Sequence, residues 1–445
     1  MTDSPDQEDA PQEAPPGNLL VLAVLAALGG IGAGLIGALF RLALEAADRL
    51  RNEVIAWLHG WSIGGFALLL VLIALCAALA AWMVRRFAPY ASGSGIPQVE
   101  AELNRELTPP SASLIPVKFA GGVLAIGSGL ALGREGPSIQ MGASIAYHTG
   151  RWFRRNWPDC RVLLSAGAGA GLATAFNAPI AGAVFVLEEL VKRFEPRLAI
   201  AALAASAGAI WIERLILGNR PDFTVRTLAA PGFAHEPLYL LLGILAGFAG
   251  VFYNRTLLWG LSTSDRFAAW PIELRAALVG AAIAVVAWFA PAMIGGGDPL
   301  TQRTLEGVGA LALLPGIYLL RLGMISCSYG ARTPGGLFAP LLVLGAVLGL
   351  WIGKLCALAL PGMGIEPVGF ALVAMAALFT GIVRAPVTGI VLVSEMTGNV
   401  SMLLPMMVAC CAAMLVPTLL GDEPIYDSLR AQLLRQQPTA AKHVR

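Results

Sequence analysis

The sequence predicts an all-α membrane protein folded from two related halves, and three observations carry that prediction. Hydrophobic residues fill 57% of the 445 positions and charged residues only 13%, a balance that excludes a soluble globular chain of this size. Much of the apolar sequence is cut by glycine and proline into pieces too short to cross a bilayer, as expected of half-helices whose irregular ends line a cavity. Two of these broken stretches recur, in order, in the second half of the chain.

The elements follow in order. Residues 1–17 carry Asp3, Asp6, Glu8, Asp9 and Glu13 among prolines, with no Lys or Arg; this reads as a disordered acidic tail and not as a signal peptide, which needs a basic start. Asn18 to about Arg51 is apolar and too long to cross a ~30 Å hydrocarbon core upright, so it tilts or protrudes. A second span, about 66–84, ends in Arg85-Arg86, which the positive-inside rule places at the cytoplasm, together with the N-terminus. From Ser92 the apolar pieces shorten to about 10 to 18 residues, broken at Gly93–Pro97, Gly133–Pro137 and Asn177-Ala178-Pro179. Longer spans return at about 198–217, 237–262 and 273–293. Breaks then reappear at Pro334–Pro340 and Arg384-Ala385-Pro386, before a last helix from Pro424.

The duplication is visible directly. Ala175–Leu190 aligns on Ile382–Thr397 at an offset of 207 (382 − 175), with identities that include Pro179/Pro386, Gly182/Gly389 and Glu188/Glu395. An offset of 203 (336 − 133) places Gly133 on Gly336, Pro137 on Pro340 and Gly142 on Gly345. Interrupted segments at matching positions of two halves point to a transporter's midplane site. The first half covers about 18–220, the second about 235–436, and 437–445 form a short tail without a cytoplasmic regulatory domain.

Other chemistries find little here. The net charge of +2 implies nothing about nucleic acid. The six cysteines show no paired or metal-type spacing, and the four histidines form no ligand cluster. No phosphate-binding loop suggests ATP, and no cofactor or metal is expected.

The chemistry centres on Gly133-Arg134-Glu135-Gly136-Pro137. An ionisable residue within a membrane segment marks a functional site by default. Proline is favoured in the first turn of a helix, so Glu135 sits at a helix start, where unsatisfied N–H groups and the helix dipole favour negative charge. Gly93–Pro97, Gly133–Pro137 and Gly335–Pro340 are three such starts, and helix N-termini bind anions through partial charges alone. Ser94 adds a hydroxyl to the first. Glu135 aligns with Phe338 in the other half, so equivalent starts present different side chains. A second acid, Glu189, lies beside the paired Glu188 but aligns with Met396 and breaks the symmetry.

These motifs, GSGIP (93–97), GREGP (133–137), GGLFAP (335–340), FNAPIAG (176–182), the RAPVTGIVLVSEMT run and Tyr426 near the C-terminus, resemble those of the CLC chloride channels and chloride/proton antiporters over roughly 20–436. The resemblance implies two inverted halves and a homodimer embedded in membrane lipid, with an anion pathway in each subunit. Chloride would be held by the hydroxyls of Ser94 and Tyr426 and by the backbone N–H groups of Leu337 and Phe338, with Gly136 beside them. Glu135 would be the gating glutamate and proton acceptor, and Glu189 the group that takes up protons from the cytoplasm. Glu188 would support that route, and Lys118 and Arg134 match basic residues near the pathway. Ser94 favours chloride over nitrate and argues against the fluoride branch. Arg332-Thr333, where the pattern has small residues, is a departure. The resemblance implies a bacterial-type chloride/proton exchanger in the inner membrane with both termini cytoplasmic; a passive chloride channel is the alternative. An intramembrane enzyme, a reading from another class, has no Ser–His or paired-Asp arrangement behind it.

Overall fold

Helix α1 (Leu19–His59) begins where the Asn18 side chain accepts a hydrogen bond from Leu20 N at 2.8 Å, a cap that satisfies one orphan donor of the first turn. The structure, a computed structural model, describes residues 18–219 and 221–435; the tails expected at 1–17 and 437–445 lie outside the described residues. The 41 residues of α1 extend roughly 60 Å at a rise of 1.5 Å each, about twice the hydrocarbon core, in line with its length in the sequence. Its small residues let a second helix close in: a Cβ on Gly30 would stand 2.0 Å from Ala205 O, on α8 (Pro196–Leu217), the small-residue contact by which membrane helices associate. Helix α2 (Ser62–Phe87) returns and ends on Arg85 and Arg86.

Short helices then follow: α3 (Ile96–Leu103), α4 (Leu114–Gly127), α5 (Glu135–Trp152), α6 (Trp157–Phe176) and α7 (Pro179–Phe185), before α8. The same order recurs in α9 (Glu236–Arg266), α10 (Ile272–Phe289), α11 (Asp298–Leu305), α12 (Leu314–Gly330), α13 (Phe338–Ala359), α14 (Pro367–Val383), α15 (Pro386–Thr397) and α16 (Leu403–Leu419). Helix α17 (Ile425–Arg435) has no counterpart among the described residues. The described residues hold no β-strand, only two isolated bridges. Helix α13 is longer than the broken pieces expected there: its 22 residues are apolar enough to span a membrane. The glycine break precedes it, and Pro340 falls in its first turn, where a missing N–H costs nothing.

The repeat extends to backbone detail. Asn177 and Arg384 (384 − 177 = 207) both close their helices in the left-handed region, at φ 48° and 72°. In each half an Ala-Pro pair then opens the next helix. Gly95 and Gly297 both lead their helices at positive φ, 93° and 102°, so Gly295–Pro299 is a fourth Gly–Pro start, repeating Gly93–Pro97 at an offset of 202 (295 − 93). The sequence reading counted three.

The two halves are inverted, and the relation of α7 to α15 demonstrates it. Glu188, just beyond the end of α7, accepts hydrogen bonds from Val387 N and Thr388 N in the first turn of α15. Glu395, near the end of α15, accepts from Ile180 N and Ala181 N in the first turn of α7. Each C-terminal acid caps the other helix's N-terminus, which only antiparallel helices related by a two-fold axis can do. Such an axis, lying across spanning helices, runs in the membrane plane. Around it, α6 and α14 form the centre. From Ser165 to Phe176 and from Val368 to Val383 every residue is buried, as expected of helices apolar on all sides.

Candidate functional site

The starts of α3, α5 and α13 meet because their loops are hydrogen-bonded to one another. Gly133 N donates to Gly336 O at 2.8 Å and Gly336 N to Gly133 O at 2.6 Å, a reciprocal pair between residues equivalent in the repeat. Gly93 N donates to Thr333 O and Gly335 N to Gly93 O, both at 3.1 Å. Glycine at 136 is required by proximity: a Cβ there would lie 2.3 Å from Ser94 O and 2.7 Å from Ser94 Oγ. The sequence thus brings three sets of helix N-terminal N–H groups to one buried place.

Glu135 is fully buried there. Its Oε1 accepts a hydrogen bond from Ala339 N, in the first turn of α13, at 2.8 Å, while Oε2 has no protein partner. The carboxylate is packed under Gly336, where a Cβ would come within 2.4 Å of Oε2. It therefore lies at the N-terminus of α13, a position that favours negative charge. The Ser94 and Tyr426 hydroxyls are also fully buried and accept or donate no hydrogen bond within the protein. An unsatisfied buried hydroxyl costs roughly 1–3 kcal/mol, so these two, near a buried carboxylate, form a polar cage with donors to spare. Phe338, packed edge-on to Phe185 and Phe379 and tilted on Tyr426 at 5.7 Å, gives the cage an apolar wall. The contact of Glu135 to α13 falls on Ala339, one residue beyond Leu337 and Phe338, whose N–H groups the family resemblance assigns to chloride.

The two basic residues are engaged elsewhere. Lys118 Nζ donates to Ala91 O at 3.1 Å and Gly93 O at 2.7 Å, so it holds the loop before α3 and makes no contact with the Glu135 carboxylate. Arg134 donates to Ala175 O, Asp222 and Asp298, and no hydrogen bond joins it to Glu135. Arg332 pairs with Asp265, which offsets the charge that distinguishes this loop.

Glu188 and Glu189 part company. Glu188 is the cap described above and also accepts from Thr388 Oγ1 at 2.7 Å, which fully accounts for its carboxylate. Glu189 is only 4% exposed and lies in a π-helical turn, Val186–Leu190, while α15 runs through the equivalent Met396 as a regular α-helix. Such π-turns are frequent at functional positions. Lys192, one turn further on, bonds Asp427 at 2.7 Å and lies 3.5 Å from Glu100. Among the described residues no hydrogen bond or ion pair ties Glu189 down.

Residues 76–418 match the family model described as voltage gated chloride channel. An H(+)/Cl(-) exchange transporter, ClcA, of Yersinia pestis is 36% identical over 95% of this chain and 89% of its own length. The ClcA of Vibrio parahaemolyticus is 37% identical over 93% of this chain and 90% of its own. The crystal structure of a slow cyanobacterial Cl−/H+ antiporter superposes with a TM-score of 0.90 at 32% identity, covering 95% of this chain and all of that one. The chain belongs to the CLC family.

In this CLC chain several residues that frame the site escaped the sequence reading. Tyr329 receives the Ser94 N–H on its hydroxyl at 3.4 Å, bracing the α3 start. Arg321 is fully buried and donates to Met293 O, Gly295 O and Gly296 O. It is the repeat mate of Lys118 (321 − 118 = 203), and the carbonyls it binds match those of Lys118 (Ala91 with Met293, Gly93 with Gly295). Two buried cations thus clamp the two equivalent loops. The signal was present as the same offset that revealed the duplication.

Proposed function

We propose that this chain is a secondary active transporter that exchanges chloride for protons across the membrane. The observation that carries the reading is Glu135: its carboxylate accepts from Ala339 N at the start of α13, at a buried place where the Ser94 and Tyr426 hydroxyls also have no partner. Chloride and Glu135 then compete for one set of partial positive charges. Protonation removes the charge of Glu135 and its claim on those donors, so a proton taken up and a chloride admitted become one event. N–H and hydroxyl dipoles, without a lysine in contact, bind a dehydrated anion and still release it. The exchange draws on ion gradients and needs no cofactor.

Glu189 is proposed as the group that takes up cytoplasmic protons, since a chain of N–H donors cannot carry a proton and the two ions must diverge. Leu337, Phe338 and Gly136 contribute backbone to the anion site in this reading, whereas Lys118 and Arg134 act by holding its loops. The proposal includes a homodimer in the inner membrane of a bacterium, as the family resemblance and the bacterial relatives indicate, with both termini cytoplasmic. Three contacts support that orientation: Arg85 at the end of α2 bonds Glu273 at the start of α10, Asp265 at the end of α9 bonds Gln432, and Arg430 bonds Glu106. In this reading the second half of α17, which carries Arg430 and Gln432, shares a face with the end of α2. Chloride and proton fluxes measured together in proteoliposomes test the function. Uphill proton movement driven by a chloride gradient is expected, and chloride flux without protons would establish the channel instead.

A further inference from the structure

Between α9, α10 and α12 lies a cavity of about 570 Å³, walled by Trp259, Phe267, Trp270 and Leu278, with Gly323 and Cys327 on its α12 side. Those four wall side chains are between 46% and 65% exposed, so the groove opens outward to the membrane and not toward the chloride site. Two polar atoms in it are buried without a partner: Arg275 Nε and Thr263 Oγ1. Of its five donors the Arg275 guanidinium gives one to Ser264 O, at 3.0 Å, and no carboxylate lies within ion-pairing distance among the described residues. The nearby Asp265 is taken by Arg332 and Gln432.

The position of these groups identifies the occupant. Arg275 lies in the first turn of α10, beside Glu273, which bonds Arg85 at the end of α2; the polar end of the groove is therefore at the membrane boundary. Trp259, Phe267 and Trp270 are the aromatic residues that populate that boundary. Leu278 is one turn, roughly 5 Å, deeper along α10. The groove is thus cationic at the depth of lipid phosphates and apolar at the depth of acyl chains. An anion at Arg275 is also favoured by the positive end of the α10 dipole.

We propose that this groove is a phospholipid site, in which the phosphate accepts from Arg275 and Thr263 and an acyl chain lies along Leu278 and the aromatic wall. An isolated guanidinium in an apolar groove is costly, and a phosphate matches its planar fork of donors.

The test uses the full chain, purified in detergent, stripped of lipid and examined by native mass spectrometry. Probes are phosphatidylglycerol, diacylglycerol of the same chains, and oleate. The expected result is one retained phosphatidylglycerol per chain and no retained diacylglycerol. Arg275→Gln lowers retention about tenfold, the scale of a lost charge-assisted hydrogen bond. Arg275→Lys restores part of it, and Thr263→Val lowers it a few-fold. Leu278→Trp fills the groove and abolishes retention with the guanidinium intact. Equal retention of diacylglycerol and phosphatidylglycerol overturns the proposal, as does undiminished retention in both Arg275→Gln and Leu278→Trp. Oleate bound in an Arg275-dependent manner while phosphatidylglycerol is not retained replaces it with a single-chain anion site.

Discussion

Replacing Glu188 by alanine opens the seam between α7 and α15. The Glu188 carboxylate accepts from Val387 N at 3.0 Å, Thr388 N at 2.6 Å and Thr388 Oγ1 at 2.7 Å. Val387 is half exposed, so water replaces much of its bond, whereas Thr388 is fully buried. Hydrogen bonds to a charged acceptor contribute about 1.5–3 kcal/mol each, so the two at Thr388 set a loss of about 3 kcal/mol. Glu395→Ala loses its buried bond to Ala181 N and a weaker one at Ile180 N, about 2 kcal/mol. The two carboxylates serve one helix pair, so the double variant measures their coupling. Membrane proteins often unfold irreversibly, and the assay is therefore a rate: loss of monodisperse protein in detergent at fixed elevated temperature. Both variants should lose it faster, Glu188→Ala the more. Glu188→Gln, with its shape retained, should keep the ratio of chloride to protons unchanged. An unaltered unfolding rate combined with abolished proton movement would take Glu188 out of the seam and return it to the proton route.

Other outcomes follow from the same geometry. Glu135→Ala should pass chloride with no proton movement, read by paired flux measurements; coupled protons in that variant remove Glu135 from the mechanism. Glu135→Gln lacks the competing charge and should bind chloride several-fold more tightly at alkaline pH, about 1 kcal/mol by calorimetry. The difference should close as pH falls and the native carboxyl takes up its proton. Ser94→Ala and Tyr426→Phe should each weaken chloride binding a few-fold, about 1 kcal/mol, while the backbone donors preserve some; unchanged affinity in both would count against this cage. Glu189→Gln should abolish proton movement and leave chloride flux, and uphill proton pumping in that variant would assign uptake to another group.

The sequence exposed what depends on rare residues in local patterns. Glu135 was legible because a charge between glycines, followed by proline, can hardly be an ordinary span. The duplication was legible where Ala-Pro and Gly-Pro pairs recur. What remained hidden depends on contacts between distant segments. The fourth start, Gly295–Pro299, begins with Asp298 where the first has Ile96, and its helix is polar, so it did not resemble its partner. The role of Arg321 rests on three carbonyl partners on a distant loop. The role of Tyr329 rests on a contact across 235 residues, which no local pattern encodes. Glu188 was recognised as part of the shared scaffold, but only the crossed caps show what it holds.

The crossed caps and the reciprocal Gly133–Gly336 bonds have a further consequence for transport in a single direction. A framework that maps onto itself when turned upside down offers an ion the same backbone from either face, and such a framework has no built-in sense of up or down. Any sense of direction must then reside where the two copies differ, and around Glu135 these differences include Glu135 against Phe338, Ser94 against Gly296, Glu189 against Met396, and α17, which occurs once among the described residues and brings Tyr426. On this view the chain is a chassis without direction that local asymmetries make directional. Exchanging side chains between equivalent positions, with the backbone left alone, is the most direct way to rewrite which side the proton comes from.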